Sequence, residues 1–334
     1  MGEKAHYGGQ AVIEGVMMRS PRFFAVACRR ANKEIIVQEE SVQSVLKRFQ
    51  WLNKPFLRGT LALIDALALG MKSLMFSANV AMEDLEESEP KKGRKAAPTP
   101  SQAGAETSEA AQNSKRRAAT QSVNDITIGM TMILGLALGI GIFFVAPQLL
   151  VGMMKRWVER PLWLNLIVGG VKLTLFVGYI TAISLMKDIR RVFEYHGAEH
   201  KVINTFESDS ALTPENLSKH GTVHPRCGTS FILVVLVISI VAFCFLGWSD
   251  AWYERVFYRL LLLPVIAGIA YEVIRFAGRY RDSRVLSVLL GPGLWLQRLT
   301  TREPSDDQVE VALRALEAVI RKEEEAGSAV ISNV

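Results

Sequence analysis

The sequence predicts a mainly α, polytopic α-helical membrane protein with about four transmembrane helices and a small N-terminal β-containing part. Three observations carry this. Of 334 residues 49% are apolar and 22% are charged, and both hold together only if the two classes are segregated along the chain. Several long runs hold no charge, or a single one, in the middle of the chain. β-Formers cluster in the first forty residues. The composition excludes a disordered chain, a coiled coil and a collagen-like fibre. Three cysteines, Cys28, Cys227 and Cys244, show no paired spacing and suit a reducing compartment. The net charge of +6 is modest, and nucleic acid is not expected as a partner.

Residues 126–154 carry no charge, enough to cross a hydrocarbon core of about 30 Å. Residues 162–186 are interrupted only by Lys172, and 227–249 are again uncharged. A fourth, weaker span covers 256–277, with charge near both ends. Basic residues set the orientation. Lys91, Lys92, Arg94, Lys95, Lys115, Arg116 and Arg117 precede the first span. Lys187, Arg190, Arg191, Lys201, Lys219 and Arg226 follow the second, and Arg279, Arg281 and Arg284 the fourth. All three groups belong in the cytoplasm, which places both termini there, in a multi-pass protein of a bacterial inner membrane. Lys155, Arg156 and Arg160 then lie outside, against the rule.

Residues 11–18, 23–28 and 34–39 read as strands, with a turn at Ala31, Asn32 and Lys33. Gly8-Gly9 reads as a tight turn before the first strand. Residues 42–82 read as helix, and their apolar stretch 61–78, broken by Asp65 and Lys72, is expected on the membrane surface or against the spans. The expected organisation is a β-hairpin plus interfacial helix over 1–82 and a disordered linker over 83–125. A four-helix transmembrane region follows over 126–277, with a cytoplasmic His/Cys loop at 187–228. A cytoplasmic helical tail occupies 278–334. There Gly291-Pro292-Gly293 is expected to break a short apolar segment. Ser305 and Gln308 form a capping-box pattern before the stripe Val309, Leu313, Leu316 and Ile320.

Chemistry concentrates in the loop. If the second span's helix continues through Phe193, it carries His196-Gly197-Ala198-Glu199-His200. Positions four apart differ by about 40° around a helix, so both imidazoles share a face. Glu199, about 60° to the other side of His196, is placed as a general base, in the order His-x-x-Glu-His of the inverted zinc-hydrolase motif. A second half-site, His224-Pro225-Arg226-Cys227, sits in a turn before the third span. His196, His200, His224 and Cys227 together offer a divalent ion, zinc by ligand preference, a complete N/S set. With four ligands the site is closed and structural; with three, a water can occupy the fourth position. Glu207, His220 and Arg226 are further candidates nearby. Lys172, an ammonium within a span, is a functional candidate by default, and Glu272 is its expected partner. A local Glu272–Arg275 pair is the other reading.

These same residues carry a resemblance. The strings from Gly8 to Arg19, from Tyr195 to Lys201, from His224 to Phe231 and from Leu299 to Pro304 resemble the signatures of the YqhQ-like family of bacterial membrane proteins. The similarity covers nearly the whole chain, apart from a long insertion over 83–121. The resemblance implies a metal-dependent enzyme and names no substrate.

The expectation is therefore a membrane-embedded metal-dependent hydrolase acting on a lipid-linked or membrane-protein substrate at the cytoplasmic surface of the lipid bilayer. The alternatives are a scaffold or assembly factor with a structural zinc site, and a transporter using Lys172 and Glu272.

Overall fold

The computed structural model describes residues 7–42, 54, 56–88, 129–279 and 284–331. Four strands, β1 (Gly8–Val12), β2 (Gly15–Arg19), β3 (Phe23–Arg29) and β4 (Ile35–Ser41), form an antiparallel sheet in sequence order. The run 11–18, expected as one strand, folds back at Ile13-Glu14, where Glu14 takes φ 50°, and pairs Val12 with Gly15. Gly8 and Gly9 belong to β1 itself and do not form a turn.

Alternate residues of a strand face opposite ways, and both faces of this sheet are covered. Val16, Met18, Ala25 and Ala27 pack on helices α4 (Lys187–Glu207) and α9 (Asp306–Ile331) through Tyr195, Ala198, Val202, Ala312, Ala315 and Leu316. Val12, Met17, Phe24, Val26 and Cys28 pack on Leu69, Phe76 and Val80 of helix α1 (Leu57–Ser88). Two-sided burial explains why β2 and β3 read as unbroken apolar runs. It also pushes the Cys28 thiol up to about 12.

Helices α2 (Gly129–Arg156), α3 (Pro161–Ser184), α6 (Gly228–Cys244) and α7 (Trp252–Arg279) pack together as an apolar bundle. By length and composition α1, α2, α3 and α7 can each cross a membrane, while α6 is shorter. Its 17 residues rise about 25 Å. Lys155 pairs with Asp250, so the α2–α3 and α6–α7 connections share one end of the bundle. The sheet sits at the other end. The second half of α1 is occupied by the sheet. Its first turns lie along α7, where Thr60 donates to the Pro264 carbonyl at 2.7 Å and Arg58 grips Glu272 at 2.6 and 2.7 Å. Ile64, Leu67 and Met71 face outward.

Three expected boundaries shift. The second span does not continue into α4: α3 ends at Ser184, Met186 turns extended at ψ 133°, and α4 starts anew at Lys187. Helix α8 (Arg284–Thr300) runs through Pro292 without breaking. Residues 83–88 are still helix, held by Arg30 on Glu83 and by the Ala31 amide donating to Asp84 at 2.7 Å; the rest of the expected linker lies outside the described residues. At α9 the Gln308 side chain accepts from the Ser305 amide at 2.9 Å.

Candidate metal centre

Helix α4 is amphipathic because it leaves the bundle and lies against the sheet. One face supplies core residues, and the next presents His196 and His200. The His196 Nδ1 lies 2.8 Å from the Thr300 carbonyl and the His200 Nδ1 lies 2.6 Å from the Thr222 carbonyl. A carbonyl only accepts, so in each ring the proton sits on Nδ1 and the lone pair on Nε2 is left for a ligand. This is the outer hydrogen bond that orients metal-binding histidines. The rings stand 4.4 Å apart at 63°.

Cys227 is the N-cap of α6, so its Sγ sits at the positive end of that helix. It lies 3.3 Å from His196 Nε2 and 3.2 Å from the Thr229 hydroxyl. Donor atoms of His196, His200 and Cys227 all fall within 4.8 Å of one another. Ligand atoms around a tetrahedral zinc ion stand about 3.3–3.6 Å apart, so the three fit such an ion with small side-chain adjustment. Burial, partly offset by the neighbouring thiol, holds His200 below the usual imidazole range, which keeps the ring neutral as a ligand must be.

His224, expected as a fourth ligand, does not join them. Its Nδ1 accepts the Arg226 amide at 3.3 Å and its Nε2 faces Glu207 at 3.4 Å. Glu207 in turn pairs with Arg226, so these three candidates form a polar clasp beside the site. Gln297 of α8 fixes the same turn, accepting the His224 amide and donating to the His224 carbonyl, both at 2.9 Å. His220 stands apart at the end of the short helix α5 (Pro214–Lys219), 3.2 Å from Ser208.

Glu199 is 5% exposed and packs under β1. A Cβ on Gly9 would stand 2.9 Å from its carboxyl carbon; only glycine lets the strand come this close. The Gly9 amide donates to the carboxylate, and Oε2 has no hydrogen-bond partner. Burial pushes Glu199 above the usual carboxylate range, against the pull of His196, His224 and the Gly9 amide.

Sequence reasoning missed Gly9, Gln297 and the two carbonyls. It also missed Gly197, where a Cβ would overlap the Arg302 carbonyl. The Arg302 amide donates to the Phe193 carbonyl at 2.9 Å, and Lys201 pairs with Glu303. The segment after α8 is thus laid directly on α4, which brings the Thr300 carbonyl to His196. The glycine after His196 was the available signal.

Lys172 and Glu272 are not partners. Glu272 is held by Arg58, while Lys172 sits over the Phe144 ring at 4.3 Å. A charge at mid-span costs about 2.5–3.5 kcal/mol, and aromatic faces recover part of it.

The chain is 35% identical over 330 residues to a protein of Bacillus subtilis (strain 168) described as "Uncharacterized protein YqhQ", covering 95% of this chain and 93% of the relative. No solved structure matches it. Residues 54–322 match the family model described as "Protein of unknown function (DUF1385)", so together with that similarity the chain belongs to this family.

Proposed function

We propose that the chain is a membrane-embedded metal-dependent hydrolase, with His196, His200 and Cys227 as ligands of a zinc-type divalent ion and Glu199 as the proton-handling group. The observation that carries this reading is the convergence of two imidazoles with preset tautomers and one thiol within 4.8 Å. Three N/S donors leave one position of a tetrahedral ion for solvent or substrate. Such an ion supplies Lewis acidity toward a carbonyl or phosphoryl oxygen.

The chain's own residues do the rest. The Thr300 and Thr222 carbonyls hold the imidazoles in one tautomer. The Gly9 amide holds the Glu199 carboxylate, which leaves Oε2 to take a proton from an attacking water and return it to the leaving group. We infer that the sheet end of the bundle faces the cytoplasm of a bacterial cell, supported by Lys187, Arg190 and Arg191 at the start of α4. A site beside the membrane suits a lipid-linked or membrane-protein substrate.

The burial of His200 and Cys227 favours a second reading, a closed structural site that staples α4, α6 and α8 in a scaffold. Cobalt(II) substitution separates the two. The hydrolase reading expects a thiolate-to-cobalt band and visible bands that move when acetohydroxamate is added. Bands indifferent to acetohydroxamate would leave the staple. Failure to take up cobalt would overturn both.

A further inference from the structure

The opposite end of the bundle carries a second polar cluster, independent of the histidine–cysteine site. Lys172 and Asn165 of α3, Arg255 and Arg259 of α7 and Gln148 of α2 are all buried. Lys172 Nζ and the Arg259 guanidinium lie 5.5 and 5.1 Å from the Phe243 ring, so the two cations share one aromatic wall. The Trp248 ring stands 4.6 Å from the Arg255 guanidinium and 5.9 Å from that of Arg259. Phe144, under Lys172, lies in a π-helical turn over Gly141–Val145. Pro147 follows that turn, and such turns recur at functional sites.

Three formal positive charges therefore lie together, buried among the helices. Among the described residues none is paired with a carboxylate: Arg255 donates to the carbonyls of Ser249, Asp250 and Gln148, and Arg259 to the Asn165 side chain. Asp250 itself pairs with Lys155. Donor capacity is left over. Arg259 is 3% exposed with Nη1 unpartnered, and Gln148 is 0% exposed with neither its oxygen nor its nitrogen bonded. Buried charge without a counter-charge, beside unused donors, is an arrangement completed by an anion.

We propose that this cluster binds a phosphate group, with Lys172 and Arg259 as its charge partners and Gln148 as a neutral hydrogen-bond partner. A guanidinium fork matches paired phosphate oxygens. An open groove at the same end is lined by Arg156, Trp157, Glu159, Arg160 and Trp163, an arginine and tryptophan surface of the kind that sits at headgroup level. The phosphate belongs either to a lipid headgroup or to a free anion.

The test uses the full chain purified in detergent, with two probes. Native mass spectrometry reads retained phosphatidylglycerol against phosphatidylethanolamine, and thermal unfolding reads the response to inorganic phosphate against chloride. Preferential retention of phosphatidylglycerol that falls about tenfold in Lys172→Met and Arg259→Gln assigns the site to a lipid. A rise in unfolding temperature with phosphate, absent in Lys172→Met, assigns it to a free anion. Lys172→Met removes a buried charge and keeps an unbranched side chain one atom shorter, so it carries the test if Arg259→Gln does not fold. The proposal is overturned if the wild-type chain prefers neither probe, or if Lys172→Met binds as the wild type does.

Discussion

At His196 and His200 the same small device occurs twice: a backbone carbonyl takes the Nδ1 proton, and Nε2 turns toward Cys227. The pairing of the two histidines is written in their spacing, because helical geometry alone puts them on one face. The carbonyls are not, since Thr300 lies 104 residues from His196. Gly9 shows the same limit. Its neighbours Gly8 and Gln10 give no hint that a carboxylate on α4 will press against its Cα. Gly9→Ala would bring a Cβ to 2.6 Å from the Met17 carbonyl and 2.9 Å from Glu199, whereas a Cβ on Gly8 meets nothing within 4 Å. Gly9→Ala is therefore expected to destabilise the chain by about 1–3 kcal/mol in thermal unfolding, with Gly8→Ala close to neutral. Equal effects would show that β1 does not seal Glu199. The Lys172–Glu272 pairing failed for a related reason. Complementary charge on two spans suggested it, but the sequence holds no cue that Arg58, 214 residues before Glu272, reaches that carboxylate first.

Elements were legible where one physical cause dominated. Runs with at most one charge marked α2, α3 and α6, and β-branched and aromatic clusters marked the sheet, because burial alone writes those patterns. Corners were less legible. The break at Leu185 and Met186 carries neither glycine nor proline; it arises because α4 must turn to lay Tyr195, Ala198 and Val202 on the sheet. Conversely, Pro292 reads as a stop yet sits inside α8, where Gln297 and Thr300 need a continuous helix to reach the His224 turn and His196. The docking of the segment after α8 depends on Gly197. Gly197→Ala forces the Arg302 backbone away, and withdraws the Thr300 carbonyl with it. A loss of about 1–3 kcal/mol is expected, together with weaker metal retention, checked by unfolding and metal analysis on the same preparation. A stable variant that keeps its metal would mean that the contact does not set the site.

At the scale of the molecule, the parts that converge on one point come from all along the sequence: β1 over Glu199, two candidate ligands from α4, a third from the cap of α6, and the bracing carbonyl at the end of α8. Neither the bundle nor the sheet holds the site alone. The sequence showed the candidate ligands as two half-sites of equal weight. Only the packed arrangement separates Cys227, which faces the imidazoles, from His224, which the Glu207–Arg226 clasp holds to one side. Metal content of the purified full chain is the most direct measurement. One divalent ion per chain is expected, reduced at least about tenfold in His196→Ala, His200→Ala and Cys227→Ala, and kept in His224→Ala. A chain without metal, or a His224→Ala variant that loses it as fully as His196→Ala, would contradict the three-ligand centre.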